Sequence, residues 1–149
     1  MADQAFFFPE VKLQAGLISD LRRMNPWWED KPPPAVPLTR RHLVGSIHRR
    51  LKARLAPVIV VRGPRQIGKT TAQIHVLQDL LASGVPSTNI LRVQFDELGA
   101  FGIPEPILRI VDWYEKSILR MSLNEAARKE QPTYIFLDEV QNLGGWAAQ

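Results

Sequence analysis

Apolar residues recur along this chain with two different periods, one typical of helices and one typical of strands. Over residues 40–55 an apolar side chain returns at every fourth position, which predicts an amphipathic helix. The run Val58–Arg62 is rich in β-branched residues, which predicts a strand buried on both faces. Helical patterns separate it from two further predicted strands, 90–95 and 134–139. This alternation predicts an α/β domain in which helices flank a parallel sheet.

The turn behind the first predicted strand contains two glycines, Gly63 and Gly68, and Lys69 and Thr70 follow the second. Glycine, four residues, then Gly-Lys-Thr is the spacing of a P-loop, which binds the phosphates of a nucleoside triphosphate. Backbone N–H groups at a helix N-terminus attract anions, and glycine lets the backbone approach them closely. The predicted nucleotide-binding residues are Gly63, Pro64, Arg65, Gln66, Ile67, Gly68, Lys69, Thr70 and Thr71.

The third predicted strand ends in two carboxylates, Asp138 and Glu139, which is the form of a Walker B element. Open α/β sheets bind ligands at the carboxyl ends of their strands, so these acids are expected beside the P-loop. We predict that Thr70 and Asp138 bind Mg²⁺ and that Glu139 polarises an attacking water as a catalytic residue. Lys69 is the second predicted catalytic residue, because its ammonium group would stabilise phosphate charge. For the acids Asp96-Glu97, which end the second strand, a turn is favoured over a place at the metal.

The first 37 residues precede the α/β pattern and differ from it in composition. Apolar residues at helical spacing predict a helix within 9–24. Asn25 ends this helix, because a residue before proline is pushed out of the helical conformation. The proline-rich segment 31–37 predicts a stiff strap over the domain surface. Trp27 and Trp28 are predicted to anchor that strap, in preference to lining an adenine pocket.

Length and charge add a second candidate interaction. A chain of 149 residues forms one ordinary domain, and we place a P-loop domain at 38–149 behind the helix and strap of 1–37. The net charge is +4, yet residues 31–78 carry ten basic side chains and no acidic one. The basic residues of 40–54 would attract nucleotide phosphates and could bind nucleic acid, although a solvated helix face is the simpler interpretation. With no cysteine and no apolar run that could span a bilayer, we expect the chain in the cytoplasm and not in a membrane.

With both motifs placed, the chain resembles the N-terminal part of an AAA-type P-loop ATPase. More narrowly, it is similar to a group of prokaryotic ATPases with the pattern Gly-Pro-Arg-Gln-x-Gly-Lys-Thr. The matching stretches are Asn25–Trp28, Arg62–Thr71, Val93–Asp96 and Ile135–Gln141. The resemblance implies ATP as the nucleotide, Mg²⁺ as its metal and hydrolysis as the reaction. It also implies homo-oligomeric rings with sites shared between subunits.

The resemblance further implies a strand that follows the Walker B strand in the chain and lies between it and the P-loop strand. The sequence contains no such strand, so we expect a parallel P-loop sheet that is truncated after the Walker B strand. Without that strand the backbone of its two neighbours would lack partners. We therefore expect ATP hydrolysis by the isolated chain to be slow.

Two other functions remain open from the sequence. A non-catalytic module could sense nucleotide through the P-loop or bind nucleic acid through the basic residues of 40–54. A transferase could use the same P-loop to move a phosphoryl group onto a small molecule. The acidic pair Asp138 and Glu139 favours activation of water over transfer.

Overall fold

The computed structural model describes residues 12–96 and 102–149 of the chain. Its helices and strands, in chain order, are α1 (Ala15–Met24), α2 (His42–Ala53), α3 (Lys69–Ala82), β1 (Ile90–Gln94), α4 (Pro106–Tyr114), α5 (Leu123–Arg128) and β2 (Tyr134–Asp138). Short 3₁₀ turns lie at Pro26–Glu29, Ser87–Asn89, Val140–Asn142 and Trp146–Ala148, and one π turn at Glu115–Leu119. The start of the predicted N-terminal helix, residues 9–11, lies outside the described residues. Within the described ranges no helix is both long and apolar enough to cross a bilayer.

Strands β1 and β2 form a parallel pair in which Ile90 lies opposite Tyr134 and Gln94 opposite Asp138. Side chains alternate between the two faces of a strand, so each face of the pair has its own core. On one face Leu91, Val93 and Phe95 of the β1 segment pack with α1, α4 and α5. On the other, Ile90 packs with α2 and α3. The predicted α/β architecture, with a parallel sheet between helices, is therefore confirmed for these two strands.

The predicted strand Val58–Arg62 does not join this sheet. Within the described residues the sheet has two strands, β1 and β2, and residues 58–62 take no part in strand pairing. Val61 packs against the core of α2 and α3, but Val58 is 71% exposed and Val60 58%. The prediction of a strand buried on both faces was wrong. A β-branched run favours extended backbone, but strand pairing requires a neighbour, and no described segment provides one here.

Side chains close the outer edge of β1. The Asn25 amide donates to the Arg92 carbonyl over 2.8 Å, and the Arg92 N–H donates to Asn25 Oδ1 over 2.6 Å. The indole N–H groups of Trp27 and Trp28 both donate to the Ile90 carbonyl, over 3.0 and 2.9 Å. One carboxamide and two indoles thus satisfy backbone groups that a further strand would otherwise pair with.

The proline-rich strap lies along α3. His75 of that helix contacts the Pro37 carbonyl over 2.8 Å, and Gln78 donates to the Pro34 carbonyl over 3.2 Å. The hydrogen bonds of Trp27 and Trp28 go to β1 and not to the strap, so these residues join the N-terminal helix to the sheet. Leu17, Leu21 and the other buried residues of α1 belong to the same core as β1.

The hydroxyl of Tyr114 links α4 to the turn before β1, and its contribution to stability can be measured. Its ring is fully buried, and its hydroxyl donates to the Thr88 carbonyl over 2.5 Å. Burial raises the pKa of Tyr114 above its ordinary value of 10.0. The neutral hydroxyl therefore adds stability that is complete below about pH 10 and is lost as pH rises further. We expect Tyr114→Phe to lower the free energy of unfolding by about 1 kcal/mol at neutral pH.

Urea unfolding at neutral pH and above about pH 10 would measure both effects. Tyr134→Phe is the matched control, since Tyr134 is only partly buried. The Tyr114→Phe variant should lose less stability than the wild type on going to alkaline pH. An equal or larger loss would contradict the role of the buried hydroxyl.

Candidate functional site

The predicted P-loop leads directly into helix α3, whose first residue is Lys69. Gly68 precedes it with φ +92°, in the left-handed region that favours glycine. A Cβ at Gly68 would lie 2.7 Å from Nε of the flexible Arg41 side chain, which would have to move. At the other end of the loop, the Ile67 side chain covers Gly63 and would have to move for a Cβ at that position. The positive φ of Gly68 is therefore the feature of this loop that favours glycine most.

The Lys69 side chain folds back onto the start of the P-loop. Its Nζ donates to the Gly63 carbonyl over 2.7 Å and to the Pro64 carbonyl over 2.6 Å. The first residue of α3 is thereby tied to the first two residues of the loop. The ammonium group lies at the N-terminus of α3, where helix N–H groups also favour an anion.

Thr70 and Asp138 meet although they are far apart in the sequence. The Thr70 hydroxyl donates to Asp138 Oδ2 over 2.6 Å, and the Glu139 N–H donates to Asp138 Oδ1 over 3.1 Å. A second link joins the same elements, since Gln73 Nε2 lies 3.4 Å from the Leu137 carbonyl. The structure therefore brings the predicted metal-binding pair together at the carboxyl end of β2.

This pair has the chemistry that Mg²⁺ requires. A hydroxyl that gives its proton to Asp138 keeps oxygen lone pairs for a cation, and Mg²⁺ binds hard oxygen ligands. Such ions take few protein ligands and fill the rest of their octahedron with phosphate oxygens and water. Residues 12–96 and 102–149 contain no cluster of three or more His, Cys, Asp or Glu that could hold a metal.

Arg92 is a member of this site that the sequence analysis did not identify. Its side chain is 5% exposed, and its Nη2 lies 3.6 Å from Asp138 Oδ2. The same nitrogen donates to Gln94 Oε1 over 2.8 Å. A charged residue inside an otherwise apolar strand is rarely buried without a partner, and this could have marked Arg92. The register of the strand pair places Asp138 opposite Gln94, which is two residues from Arg92 on the same face of β1.

The remaining predicted acids lie at different distances from this centre. Glu139 follows Asp138 in the left-handed region, and its carboxylate accepts a hydrogen bond from the Gln141 side-chain amide. None of the contacts among the described residues joins its carboxylate to the P-loop. Asp96 is exposed just after β1, and Glu97 lies outside the described residues.

The basic residues of 40–54 divide into two groups. Arg40 forms a two-pronged ion pair with Asp79 of α3 over 2.5 and 2.6 Å, and His48 reaches the same carboxylate over 2.7 Å. The hydrogen bond from Arg40 holds the pKa of Asp79 below its ordinary value, with a further contribution from His48 and against the effect of burial. Arg49 and Arg50, by contrast, are exposed and line an open depression of about 420 Å³. Part of the predicted basic face is therefore neutralised by Asp79, and part faces solvent.

The architecture and the site define an α/β domain with helices on both sides of a parallel strand pair. The model of a protein family, the AAA domain, matches residues 55–149, which is more than half of the chain. The chain belongs to this family. The match includes the loop at Gly63–Thr70 and both strands. Comparisons with curated proteins and with solved structures give no match.

Family membership confirms the predicted resemblance at the level of the AAA domain. The narrower resemblance, to ATPases with the pattern Gly-Pro-Arg-Gln-x-Gly-Lys-Thr, stays a prediction. So do the individual roles of Lys69, Thr70, Asp138 and Glu139.

Proposed function

We propose that this chain binds Mg-ATP at the P-loop and is the nucleotide-binding part of an AAA ATPase. The observation that carries the proposal is the 2.6 Å hydrogen bond between Thr70 and Asp138. It joins the end of the P-loop to the end of β2, which is the pairing of hydroxyl and carboxylate that P-loop nucleotide sites use for Mg²⁺. Membership of the AAA domain family supports ATP as the nucleotide.

Each residue of the site has a defined part in binding. The loop from Gly63 to Thr71 would surround the phosphates with backbone N–H groups at the N-terminus of α3. Lys69 would exchange two neutral carbonyl acceptors for anionic phosphate oxygens, and charged acceptors make stronger hydrogen bonds. Thr70 and Asp138 would hold Mg²⁺, which neutralises phosphate charge when bound.

Hydrolysis by this chain alone is proposed to be slow. Glu139 would orient the attacking water, but its carboxylate is engaged by Gln141. The segment Val58–Arg62, which leads into the P-loop, has no strand pairing among the described residues. The P-loop is then positioned relative to Glu139 largely by the contacts of Thr70 and Gln73 with the end of β2. Because a displacement of about 1 Å can lower a rate a hundredfold, we expect little turnover.

Calorimetric titration of Mg-ATP into the purified chain tests the proposal. The wild type should bind saturably, and Lys69→Ala should weaken binding about a hundredfold, since it removes charged hydrogen bonds to phosphate. Lys129→Ala is the matched control, because Lys129 is an exposed lysine directly after α5 that pairs with Glu125. Circular dichroism would show that each variant is folded. Absence of binding by a folded wild type, or equal binding by Lys69→Ala, would refute the proposal.

A phosphate-release assay tests the proposed low turnover. Sustained hydrolysis by the wild type that Glu139→Gln abolishes would show that the chain is a competent enzyme by itself. That outcome would overturn the proposal of slow hydrolysis and leave the proposed ATP binding intact.

A second candidate function is nucleic-acid binding through Arg49 and Arg50. The exposed position of both arginines on one depression, within a stretch without acidic residues, favours it. Binding of duplex DNA should then weaken with salt, survive Lys69→Ala and fail when both arginines become glutamine. Binding that does not depend on these two arginines would exclude this surface.

A further inference from the structure

Arg41 approaches the P-loop from a separate part of the chain. It is the residue before α2, and its side chain lies directly on the backbone of Gly68. A Cβ at Gly68 would lie 2.7 Å from Arg41 Nε, 3.0 Å from Cδ and 3.4 Å from Cζ. Ordinary contacts between carbon atoms are about 3.5–4.0 Å, so the Arg41 side chain lies in the space that a Cβ at Gly68 would occupy.

The neighbouring residue fixes the backbone from which Arg41 extends. Arg40 is held by both oxygens of Asp79, near the end of α3, while Arg41 lies at Gly68, just before α3 begins. Gly68 and Asp79 are eleven residues apart, about 16 Å along a helix. Val44 and Ile47 also pack α2 against the core residues of α3. The adjacent residues Arg40 and Arg41 thus contact α3 near its two ends. The Arg40–Asp79 ion pair holds the backbone from which Arg41 extends toward the loop.

Among the described residues, the charged groups around Arg41 are all positive. The guanidinium lies at the N-terminus of α3, which is the positive end of the helix dipole. Lys69 begins the same helix, and Arg65 is in the same loop. Arg41 forms no ion pair with any carboxylate in the described part of the chain, and residues 31–78 contain no acid. A phosphate group bound at the loop would relieve this repulsion.

We propose that Arg41 is a phosphate-binding residue of this site, positioned by the Arg40–Asp79 ion pair. The inference rests on the proposed binding of ATP and adds a second cationic side chain to Lys69 and the N–H groups of the loop. Because Arg41 lies against Gly68, directly before Lys69, its guanidinium contacts the phosphates beyond the α-phosphate. Arg41 therefore discriminates nucleoside di- and triphosphates from a monophosphate.

Titration of Arg41→Gln with Mg-ATP, Mg-ADP and AMP tests the inference. ATP and ADP should bind about tenfold more weakly than to the wild type, as expected for loss of one charged hydrogen bond. The affinity for AMP should change less than twofold. Arg41→Lys keeps the charge and should recover part of the affinity. The urea midpoint of Arg41→Gln should equal or exceed that of the wild type, because the variant removes a cation from a helix N-terminus.

Lys52→Gln is the matched control for charge. Lys52 is an exposed residue of the same helix, eleven positions from Arg41 and therefore about 16 Å away along the axis. At physiological salt this exceeds the Debye length of about 8 Å, so Lys52→Gln should bind ATP like the wild type. Equal weakening by the two variants would show a general field and overturn the inference.

The outcomes separate the inference from the proposed function. If Lys69→Ala loses ATP but Arg41→Gln binds it as the wild type does, the site stands and the role of Arg41 is refuted. If the folded wild type binds no nucleotide, the proposed function itself fails. A tenfold loss with Arg41→Gln at unchanged stability supports both.

Discussion

Replacing Asp138 with asparagine is expected to lower the free energy of unfolding by about 3 kcal/mol in the absence of nucleotide and metal, because it removes the negative member of a buried ion pair. The other member is Arg92, whose side chain is 5% exposed. An amide also fits the site poorly. Asp138 accepts hydrogen bonds from Thr70 and the Glu139 N–H and forms an ion pair with Arg92, and the NH₂ group of asparagine would face at least one of these three groups.

Urea unfolding of a double-mutant cycle isolates this effect. Arg92→Met combined with Asp138→Asn should be more stable than Asp138→Asn alone, since the combination also removes the buried cation that lies against residue 138. Glu139→Gln is the control, because it changes the next carboxylate, which lies on the surface of the site and pairs with Gln141. A cost below about 1 kcal/mol for Asp138→Asn, the level of an ordinary substitution, would mean that the buried pair contributes little.

Asn25→Asp is expected to have an effect of similar size, although the two side chains have almost the same shape. The Asn25 amide donates to the carbonyls of Leu21 and Arg92, over 2.7 and 2.8 Å, and the residue is fully buried. A carboxylate has no hydrogen to donate, so both carbonyls would face a buried negative charge. Each unsatisfied buried group costs about 1–3 kcal/mol, so we expect a total loss of about 3 kcal/mol or more.

Chemical denaturation at neutral pH measures this loss. Asn124→Asp, on the exposed first turn of α5, introduces the same change of atoms and should lie within about 0.5 kcal/mol of the wild type. Equal stability of Asn25→Asp and Asn124→Asp would show that the edge of β1 does not depend on the carboxamide.

Local pattern predicted most of the elements and the loop at the site. Strands 90–94 and 134–138 and helix α3 follow from runs of apolar residues, and the spacing of Gly63, Gly68 and Lys69 marks the loop because few residue types can form it. The meeting of Thr70 with Asp138 followed from the general rule that parallel strands end at one edge.

The features that sequence reasoning missed all depend on distant partners. Asn25 pairs with the backbone of Arg92, 67 residues away, and no local pattern indicates such a contact. The fold places Arg92 against Asp138 and Arg41 against Gly68, and the contact partner of neither arginine can be read from its neighbours in the sequence. The error at Val58–Arg62 has the same origin, since pairing in a sheet is decided by neighbours and not by the segment itself.

Side chains cap the outer edge of β1, so the two edges of the strand pair differ in how readily they can accept a further strand. The Phe95 N–H donates to the Asp138 carbonyl, so Asp138 directs its backbone groups toward β1, and by alternation Ile135 and Leu137 direct theirs to the opposite side. On that side Gln73 occupies the Leu137 carbonyl. An incoming strand at β1 would have to displace the hydrogen bonds of Asn25, Trp27 and Trp28, whereas at β2 it would compete, within 12–96 and 102–149, with one long side-chain bond. The sheet can therefore recruit a strand, from this chain or from another, at one edge far more readily than at the other.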